Sequence, residues 1–486
     1  MMPIFLTKPI LAPYKAASTT KMMIPTSKQL PLKYAWLFFI LLIGLIAWCA
    51  NPWQLYFLND DFIHIPKAYD GTIGHNNGLR HICDLSLYID SLMSKQNAFG
   101  YHLTNLLLHT ANMLLMVPLA KKLAATLGYP ISTQVALLIA GLFGVYAFHS
   151  EAVFWILCRT ASLSLFFNLL CWLCFFRAMT ARLWILPMVL FFLLGIFTYE
   201  SLWVYPFWLL AWFFLLPKGS VDKALSKWPI AVTWIVFIAY FPVRLKITGA
   251  LLGTYEAGDV EHFNPLALVE KTSKLFMRSF LPPIENIKLF AVLFGAAMLG
   301  VLWLALLLLK RKLVDKLLLF FILAWLISYY PYVSMGVSVT GYESERYLYY
   351  PSLFLCAGLV YAGVLLWQKN GRALMVYLSA LFLFHIFFLV KAAEVFKEIS
   401  GYSREAIAAI SKLQPSKKLV IKNLPVYSNG LPVFNYGFMN AMEWFSPGRD
   451  TLQVEVESRQ KFDKEVISVS VNSSNSVADT VVFTGK

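Results

Sequence analysis

Charged side chains are scarce in this chain of 486 residues: only 14% are Asp, Glu, Lys or Arg, whereas 59% are hydrophobic. So much apolar surface cannot be buried inside soluble domains, and the composition predicts a polytopic membrane protein. Acidic residues are the scarcer charges, so the formal net charge is +15. The basic residues form short clusters between apolar runs, which is typical of membrane topology signals and argues against nucleic-acid binding.

Cysteine is also scarce. The six cysteines are scattered, mostly within apolar segments, so they predict neither a disulfide framework nor a zinc site. The chain also lacks the short apolar core and the small-residue cleavage site of a signal peptide. Its first apolar run, near 34–50, is long and follows a basic leader. We therefore interpret this run as a retained first span.

Apolar segments long enough to cross a membrane recur along the chain, and we expect about eleven transmembrane helices, several of them short. The segments lie near 34–50, 101–120, 134–148, 160–178, 183–198, 201–216, 229–244, 287–309, 315–333, 349–367 and 372–391. Basic residues alternate between the intervening loops, which places the N-terminus in the cytoplasm and the acidic loops outside.

Three regions follow from these positions. We expect a cytoplasmic basic leader at 1–33, a transmembrane region at 34–391 with a long external loop at 51–100, and an extracytoplasmic domain at 392–486. A helix-like stretch and four strand-like runs predict that this last domain is α+β. The expected fold class is thus an all-α polytopic bundle with a small external α+β domain.

Two adjacent carboxylates, Asp60 and Asp61, follow the first span. An acid inside hydrocarbon is costly, so acids beside a membrane span often lie in a water-filled cavity and mark a functional site. The alternative is a solvated loop at the end of a helix. Neighbouring carboxylates also repel each other, which raises one pKa and makes that group a better base.

The second predicted span carries His102, Asn105, His109 and Asn112 at positions i, i+3, i+7 and i+10. Helical spacing places them on one narrow face. This face must point into the bundle, where it either forms interhelical hydrogen bonds or lines a polar cavity. From the sequence we favour hydrogen bonding and leave the cavity open.

Residues 149–159 have the pattern His-x-Glu-Ala-Val-x-Trp-Ile-x-x-Arg. This pattern resembles a segment of the GT-C glycosyltransferases, specifically the protein O-mannosyltransferase branch that includes the transmembrane tetratricopeptide O-mannosyltransferases and their bacterial relatives. Three further stretches resemble this branch in the same order: the Asp60-Asp61 pair, residues 99–109 and residues 345–352. The chain departs from the branch at Tyr199, where relatives often have Lys, and no tetratricopeptide array follows.

The resemblance implies an enzyme that moves a sugar from a polyprenyl-phosphate-linked donor to an acceptor hydroxyl on the extracytoplasmic face, with inversion at the anomeric carbon. Asp60 is then the candidate general base, with Asp61 as its neighbour and possible substitute. Arg80, Arg159 and Arg346 are the candidates that bind the donor phosphate, because a guanidinium forms bidentate bonds to phosphate.

Each of these arginines could instead pair with a carboxylate, and for Arg159 a pair with Glu151 is the open alternative. The side chains expected in the substrate cavity are polar or acidic, and all but Glu200 lie within the matching stretches: His102, His109, Glu151, Glu200, Glu345 and Tyr347. We expect no metal and no other cofactor, because the histidines of the first loop do not have the spacing of a tight metal site.

The acceptor is a protein, a lipid or an envelope glycan, and the sequence does not distinguish among them. The modest length favours a bacterial inner membrane as the location. Two other functions remain open at this level: a lipid or glycan transporter, and a non-catalytic subunit of an envelope glycan assembly system. Transporters tend to have inverted repeats and broken helices, and we find no convincing repeat between the two halves of the chain.

Overall fold

The computed structural model describes residues 32–73, 79–249, 265–333, 335–367, 369–411, 418–445, 454–462, 467–473 and 478–485. These residues are mostly helical, with a small sheet region near the C-terminus. Backbone amides and carbonyls must be hydrogen-bonded internally in hydrocarbon, which is why the apolar runs form helices. The predicted basic leader lies outside the described residues, apart from its last two.

Sixteen α-helices and five short 3-10 helices are described. The α-helices are α1 (Leu32–Cys49), α2 (Asp61–Tyr69), α3 (His81–Ser94), α4 (Ala98–Leu127), α5 (Thr133–Val145), α6 (Glu151–Phe154), α7 (Arg159–Ala178), α8 (Ile185–Ile196), α9 (Tyr205–Leu215), α10 (Val221–Thr248), α11 (Pro265–Arg278), α12 (Ile287–Lys310), α13 (Lys316–Ile327), α14 (Tyr349–Trp367), α15 (Gly371–Ser411) and α16 (Phe438–Phe445). The 3-10 helices are Ala147–His149, Arg182–Trp184, Glu200–Val204, Tyr330–Tyr332 and Glu345–Leu348.

Seven of the described helices are long and apolar enough to cross a membrane: α1, α4, α7, α10, α12, α14 with the 3-10 turn before it, and α15. Shorter apolar stretches lie at Thr133–Val145, Arg182–Ile196, Glu200–Leu215 and Lys316–Tyr332. These helices agree with the prediction of a mainly helical chain that crosses a membrane several times.

The long helices differ in how much of their surface the protein covers. The α14 and α7 spans are 83% and 72% buried, so they form the centre of the bundle. By contrast, the α12 span is only 6% buried and exposes Val292, Leu299 and Trp303. An apolar surface of this size is unfavourable in water. This exposure is typical of a helix that faces lipid.

Several helices begin or end in one common region, and the side chains singled out from the sequence lie there. The chain enters this region at the C-terminal ends of α1, α5, α8 and α13, and leaves it at the N-terminal ends of α4, α7, α9 and α14. The predicted long loop at 51–100 also belongs to this region and contains α2 and α3. Residues far apart in sequence therefore meet at one end of the bundle.

The C-terminal part begins differently from the prediction. α15 is one continuous helix of 41 residues, so the domain boundary expected between 391 and 392 falls inside it. Local hydropathy drops at this point, but the helix continues because its later turns pack on other parts of the chain: Phe396, Ile399 and Ile410 are fully buried.

Two sheets follow α15. The strands are β1 (Lys418–Lys422), β2 (Leu424–Ser428), β3 (Leu431–Pro432), β4 (Val454–Val456), β5 (Arg459–Phe462), β6 (Ile467–Ser473) and β7 (Ala478–Gly485). One sheet has the order β4-β1-β7-β6, with β1 parallel to both neighbours, and the other has the order β3-β2-β5. The strand-like runs expected from the sequence correspond to β1, β4, β6 and β7. β2, β3 and β5 were not predicted from the sequence.

Candidate active site

The two adjacent carboxylates differ in their surroundings. Asp61 is completely buried, and its two oxygens accept hydrogen bonds from the backbone N–H groups of Leu58 (2.9 Å) and Leu157 (3.1 Å). Burial, and then the neighbouring Asp60, raise the pKa of Asp61 well above its ordinary value. Because Leu157 lies between α6 and α7, Asp61 joins the first long loop to that connection. The geometry gives Asp61 a structural task.

Asp60 immediately precedes α2. Its Oδ1 atom is buried and has no hydrogen-bond partner among the described residues. Burial raises the pKa of Asp60 to about 6, while the nearby Arg346 and Arg80 lower it and Glu151 raises it. A carboxylate with this pKa is still ionised at neutral pH and is a stronger base than an ordinary aspartate. Of the two acids, Asp60 has the properties of a general base.

Arg346 is held beside Asp60 by Glu151. Its Nη1 donates to Glu151 Oε1 at 2.8 Å, and its backbone N–H donates to Glu151 Oε2 at 2.9 Å. The backbone N–H of Ser344 also donates to Glu151, at 3.3 Å. Glu151 is completely buried, whereas the Arg346 side chain keeps 24% of its surface exposed. The carboxylate therefore fixes the start of the 345–348 turn and the orientation of the guanidinium.

Two further arginines, Arg80 and Arg244, contact the carboxylate of Glu200. Arg80 Nη2 donates to Glu200 Oε2 at 3.2 Å, and Arg244 approaches the other carboxylate oxygen at 3.7 Å. The Arg80 guanidinium also lies over the ring of Tyr199, 4.9 Å from its centroid. The aromatic ring of Tyr199 thus supports an arginine from another segment of the chain.

Exposure separates the arginines into two classes. Arg346 and Arg80 keep 24% and 17% of their side-chain surface exposed, and both are close enough to Asp60 to affect its pKa. Arg159, Arg244 and Arg278 are completely buried. Among these five described arginines, only Arg346 and Arg80 have surface available for an anionic ligand.

Arg159 has a different role from the one predicted. Its Nη1 donates to Asp90 at 2.6 Å, its Nε to the side chain of Asn105 at 2.9 Å and its Nη2 to the carbonyl of Tyr101 at 2.7 Å. The alternative pair with Glu151 is wrong, because Asp90 is the partner. Since the side chain is enclosed, we withdraw its assignment to phosphate binding.

The buried ionic partner of Glu345 was not predicted from the sequence. Arg278, at the end of α11, donates to one oxygen of Glu345, and the hydroxyl of Ser150 donates to the other at 2.6 Å. Arg278 is the last residue of α11, and its side chain turns into the protein, where it is completely buried. A basic residue at the end of this helix was the available signal. Glu345 therefore connects α11 to the start of α6 and is closed to a substrate.

The polar face of α4 forms hydrogen bonds between helices, as favoured from the sequence. Asn105 donates to the carbonyl of Trp155 at 2.9 Å, and Asn112 donates to that of Ser162 at 2.8 Å. His109 bonds through its two ring nitrogens to Tyr349 and to the carbonyl of Gly144. His102 lies 3.3 Å from the carbonyl of Tyr56. These side chains are buried, so the structure gives them a packing task and leaves their predicted place in a substrate cavity without support.

Tyr347 forms one wall beside Arg346. Its ring stacks on that of Tyr332, with 5.0 Å between the centroids, and Arg346 Nη2 donates to its hydroxyl at 3.3 Å. The ring thus limits how far the guanidinium can move.

In the described part of the chain, no group of three or more His, Cys, Asp or Glu side chains is arranged as metal ligands. His75, which shares the first loop with Asp60, lies outside the described residues.

Comparison with known proteins gives no family assignment for this site. No protein-family model matches the chain, and a search of curated proteins finds no relative.

Proposed function

We propose that this protein is a GT-C glycosyltransferase that transfers a sugar from a polyprenyl-phosphate-linked donor to an acceptor hydroxyl. One observation carries the proposal. A carboxylate with a buried, unpaired oxygen, on Asp60, lies near the two arginines of the site that keep exposed surface, Arg346 and Arg80. A base next to fixed cations is what transfer from a phosphate leaving group requires.

The chemistry assigned to each group follows from its charge. Asp60 takes the proton from the acceptor hydroxyl as the acceptor oxygen bonds to the anomeric carbon, and the bond from that carbon to the phosphate oxygen breaks. The lipid phosphate leaves with the electron pair and gains negative charge. Arg346 and Arg80 stabilise this charge, because they are already ordered by Glu151 and Glu200 and need little reorganisation. Attack opposite the leaving group inverts the anomeric carbon.

The resemblance contributes the remaining parts of the proposal. Our proposal includes a bundle of eleven spans, in which the four short apolar stretches cross the membrane beside the seven long helices. The alternation of basic loops supports an active site and a C-terminal domain on the extracytoplasmic side. We include the bacterial inner membrane as the location, and a protein, lipid or glycan as the acceptor.

The test compares Asp60→Asn with Asp70→Asn in purified protein reconstituted into liposomes. Asp70 is an exposed acid at the end of the same helix, so its replacement controls for loss of charge in the loop. The donors are undecaprenyl-phosphate-linked hexoses and pentoses with a radiolabelled sugar, and washed bacterial membranes serve as the acceptor source.

We expect Asp60→Asn to lower the transfer rate by about 10² to 10⁴, and Asp70→Asn to leave it unchanged. Both variants should bind donor, and unfolding curves recorded alongside exclude misfolding. A wild-type protein that transfers no label from any donor would contradict the proposal and favour the transporter or assembly-subunit alternatives. Wild-type rates in Asp60→Asn would remove Asp60 from the catalytic machinery.

A further inference from the structure

The turn that precedes Asp60 is held by residues from the far end of the chain. Asn59 has φ of 44°, a backbone conformation that asparagine tolerates better than most residues. Its backbone N–H donates to the carbonyl of Val433 at 2.8 Å, and its side-chain Oδ1 accepts the backbone N–H of Tyr436 at 2.7 Å. Asn59 is almost completely buried. Both contacts come from residues 429–437, which we call the clamp loop.

The backbone of the clamp loop packs closely against the backbone of the turn. At Gly437, where φ is 76°, a Cβ atom would lie 2.4 Å from the carbonyl oxygen of Asn59. A side chain there would both strain the backbone and push the turn away. Beside it, the rings of Phe434 and Phe62 stack with 5.8 Å between their centroids. The fit therefore depends on a glycine on one side and on an asparagine on the other.

The same loop also reaches the segment that leads to Arg346. A Cβ atom at Gly341 would lie 2.6 Å from the carbonyl oxygen of Gly430. Gly341 lies four residues before Glu345, which begins the short helix that carries Arg346. The clamp loop thus contacts the turn before the candidate base and the segment before the candidate cation.

The extended end of α15 holds the earlier part of the first loop. Ser403 donates to the carbonyl of Phe57 at 2.8 Å, and Arg404 donates to those of Leu55 and Trp53, both at 3.1 Å. Residues 53–59 are therefore bonded on one side to α15 and on the other to the clamp loop. Asp60 is the next residue along the chain.

We propose that Asn59 is a positioning residue, whose two bonds to the clamp loop set the place of Asp60 relative to Arg346. The inference rests on the proposed function, because it assigns Asn59 to the same reaction. A general base must lie within hydrogen-bond reach of the proton that it removes. Misplacement of a reacting group by about 1 Å can lower a rate by about 10²-fold. The C-terminal region thereby becomes part of the catalytic unit.

The test uses Asn59→Gly, which keeps the backbone conformation and removes the side-chain acceptor. Asn423→Gly is the matched control: Asn423 also has a positive φ, of 56°, and its side chain bonds to Phe483 and Ser458 within the C-terminal domain. Gly437→Ala perturbs the contact from the opposite side. Its control is Gly71→Ala, where φ is 78° but no atom lies within 4 Å of the new Cβ.

The assay measures the rate at saturating donor, the donor KM and the unfolding temperature, with the undecaprenyl-phosphate-linked sugar that the wild-type protein uses best. We expect Asn59→Gly and Gly437→Ala to lower the saturated rate by about 10- to 10²-fold and to leave the donor KM within about twofold, because Arg346 and Arg80 are unchanged. The two control variants should retain the wild-type rate, although Gly71→Ala strains its backbone and Asn423→Gly loses its side-chain hydrogen bonds.

Two results would overturn the inference. One is a wild-type rate in both Asn59→Gly and Gly437→Ala; the other is a rate that falls equally in the control variants, in proportion to lost stability. Either result leaves the proposed function intact if the wild-type protein transfers sugar. A wild-type protein that is inactive with every donor refutes the proposed function itself, and the inference with it.

Discussion

Replacing Arg159 by methionine distinguishes a structural arginine from one that binds the donor. Methionine keeps much of the volume and removes the charge. The substitution deletes bonds of 2.6, 2.7 and 2.9 Å to Asp90, Tyr101 and Asn105, and it leaves the carboxylate of Asp90 buried without its cation. Removing one partner of a buried ion pair typically costs about 3–5 kcal/mol. We expect a loss of this size in the free energy of unfolding.

Arg346→Met is the informative comparison. The Arg346 side chain is 24% exposed, and its partner Glu151 keeps two backbone N–H donors, from Ser344 and from residue 346 itself. The expected loss of stability is therefore only about 1–2 kcal/mol. Donor binding should show the opposite order: Arg159→Met retains wild-type affinity and Arg346→Met loses it.

Equilibrium unfolding in mixed micelles, with donor binding measured under native conditions, provides the assay. The double variant Arg159→Met with Asp90→Leu is the control. Replacing both members of a buried pair by apolar residues often restores stability, so this variant should be more stable than Arg159→Met alone. If Arg159→Met unfolds within about 0.5 kcal/mol of the wild-type protein but fails to bind donor, the structural assignment is refuted.

Three further predictions concern Arg346 and Asp60. Arg346→Ala should lower the transfer rate by about 10² to 10³. The control Arg311→Ala removes a hydrogen bond from Arg311 to the carbonyl of Leu366 and should leave the rate unchanged. Equal rates in the two variants would contradict the assignment of Arg346 to the donor phosphate. The transfer rate should also fall as the pH drops below about 6, because Asp60 then becomes protonated, and a flat profile between pH 7 and pH 5 would argue against it as the base. The raised pKa of Asp60 means that ionisation disfavours the folded state, so stability that is present below the ordinary pKa of an aspartate is lost as the pH rises through about 6. Asp60→Asn should therefore unfold at a higher temperature than the wild-type protein at pH 7 and at a similar temperature at pH 4.

Local sequence determined the helices of this protein. The length and hydropathy of a segment decide whether it can cross a membrane, and each apolar run identified from the sequence is mostly helical in the structure. The polar face of α4 could also be predicted, because four side chains at helical spacing must lie on one side of the helix. The helix-like stretch expected after 391 is also present, but it continues the last span without a break, because tertiary packing keeps α15 helical where hydropathy falls.

Pairing between distant segments was decided only by the tertiary structure. The sequence offered Asp60 and Asp61 as near equivalents, and the fold separated them by placing the backbone of Leu157 against one carboxylate and leaving the other with an unpaired oxygen. Likewise, the sequence offered Arg159 and Arg346 as equal candidates for phosphate binding, but only the meeting of the helix ends determined which one is enclosed. An ionic partner depends on distance in space, and spacing along one helix carries no information about the ends of the others.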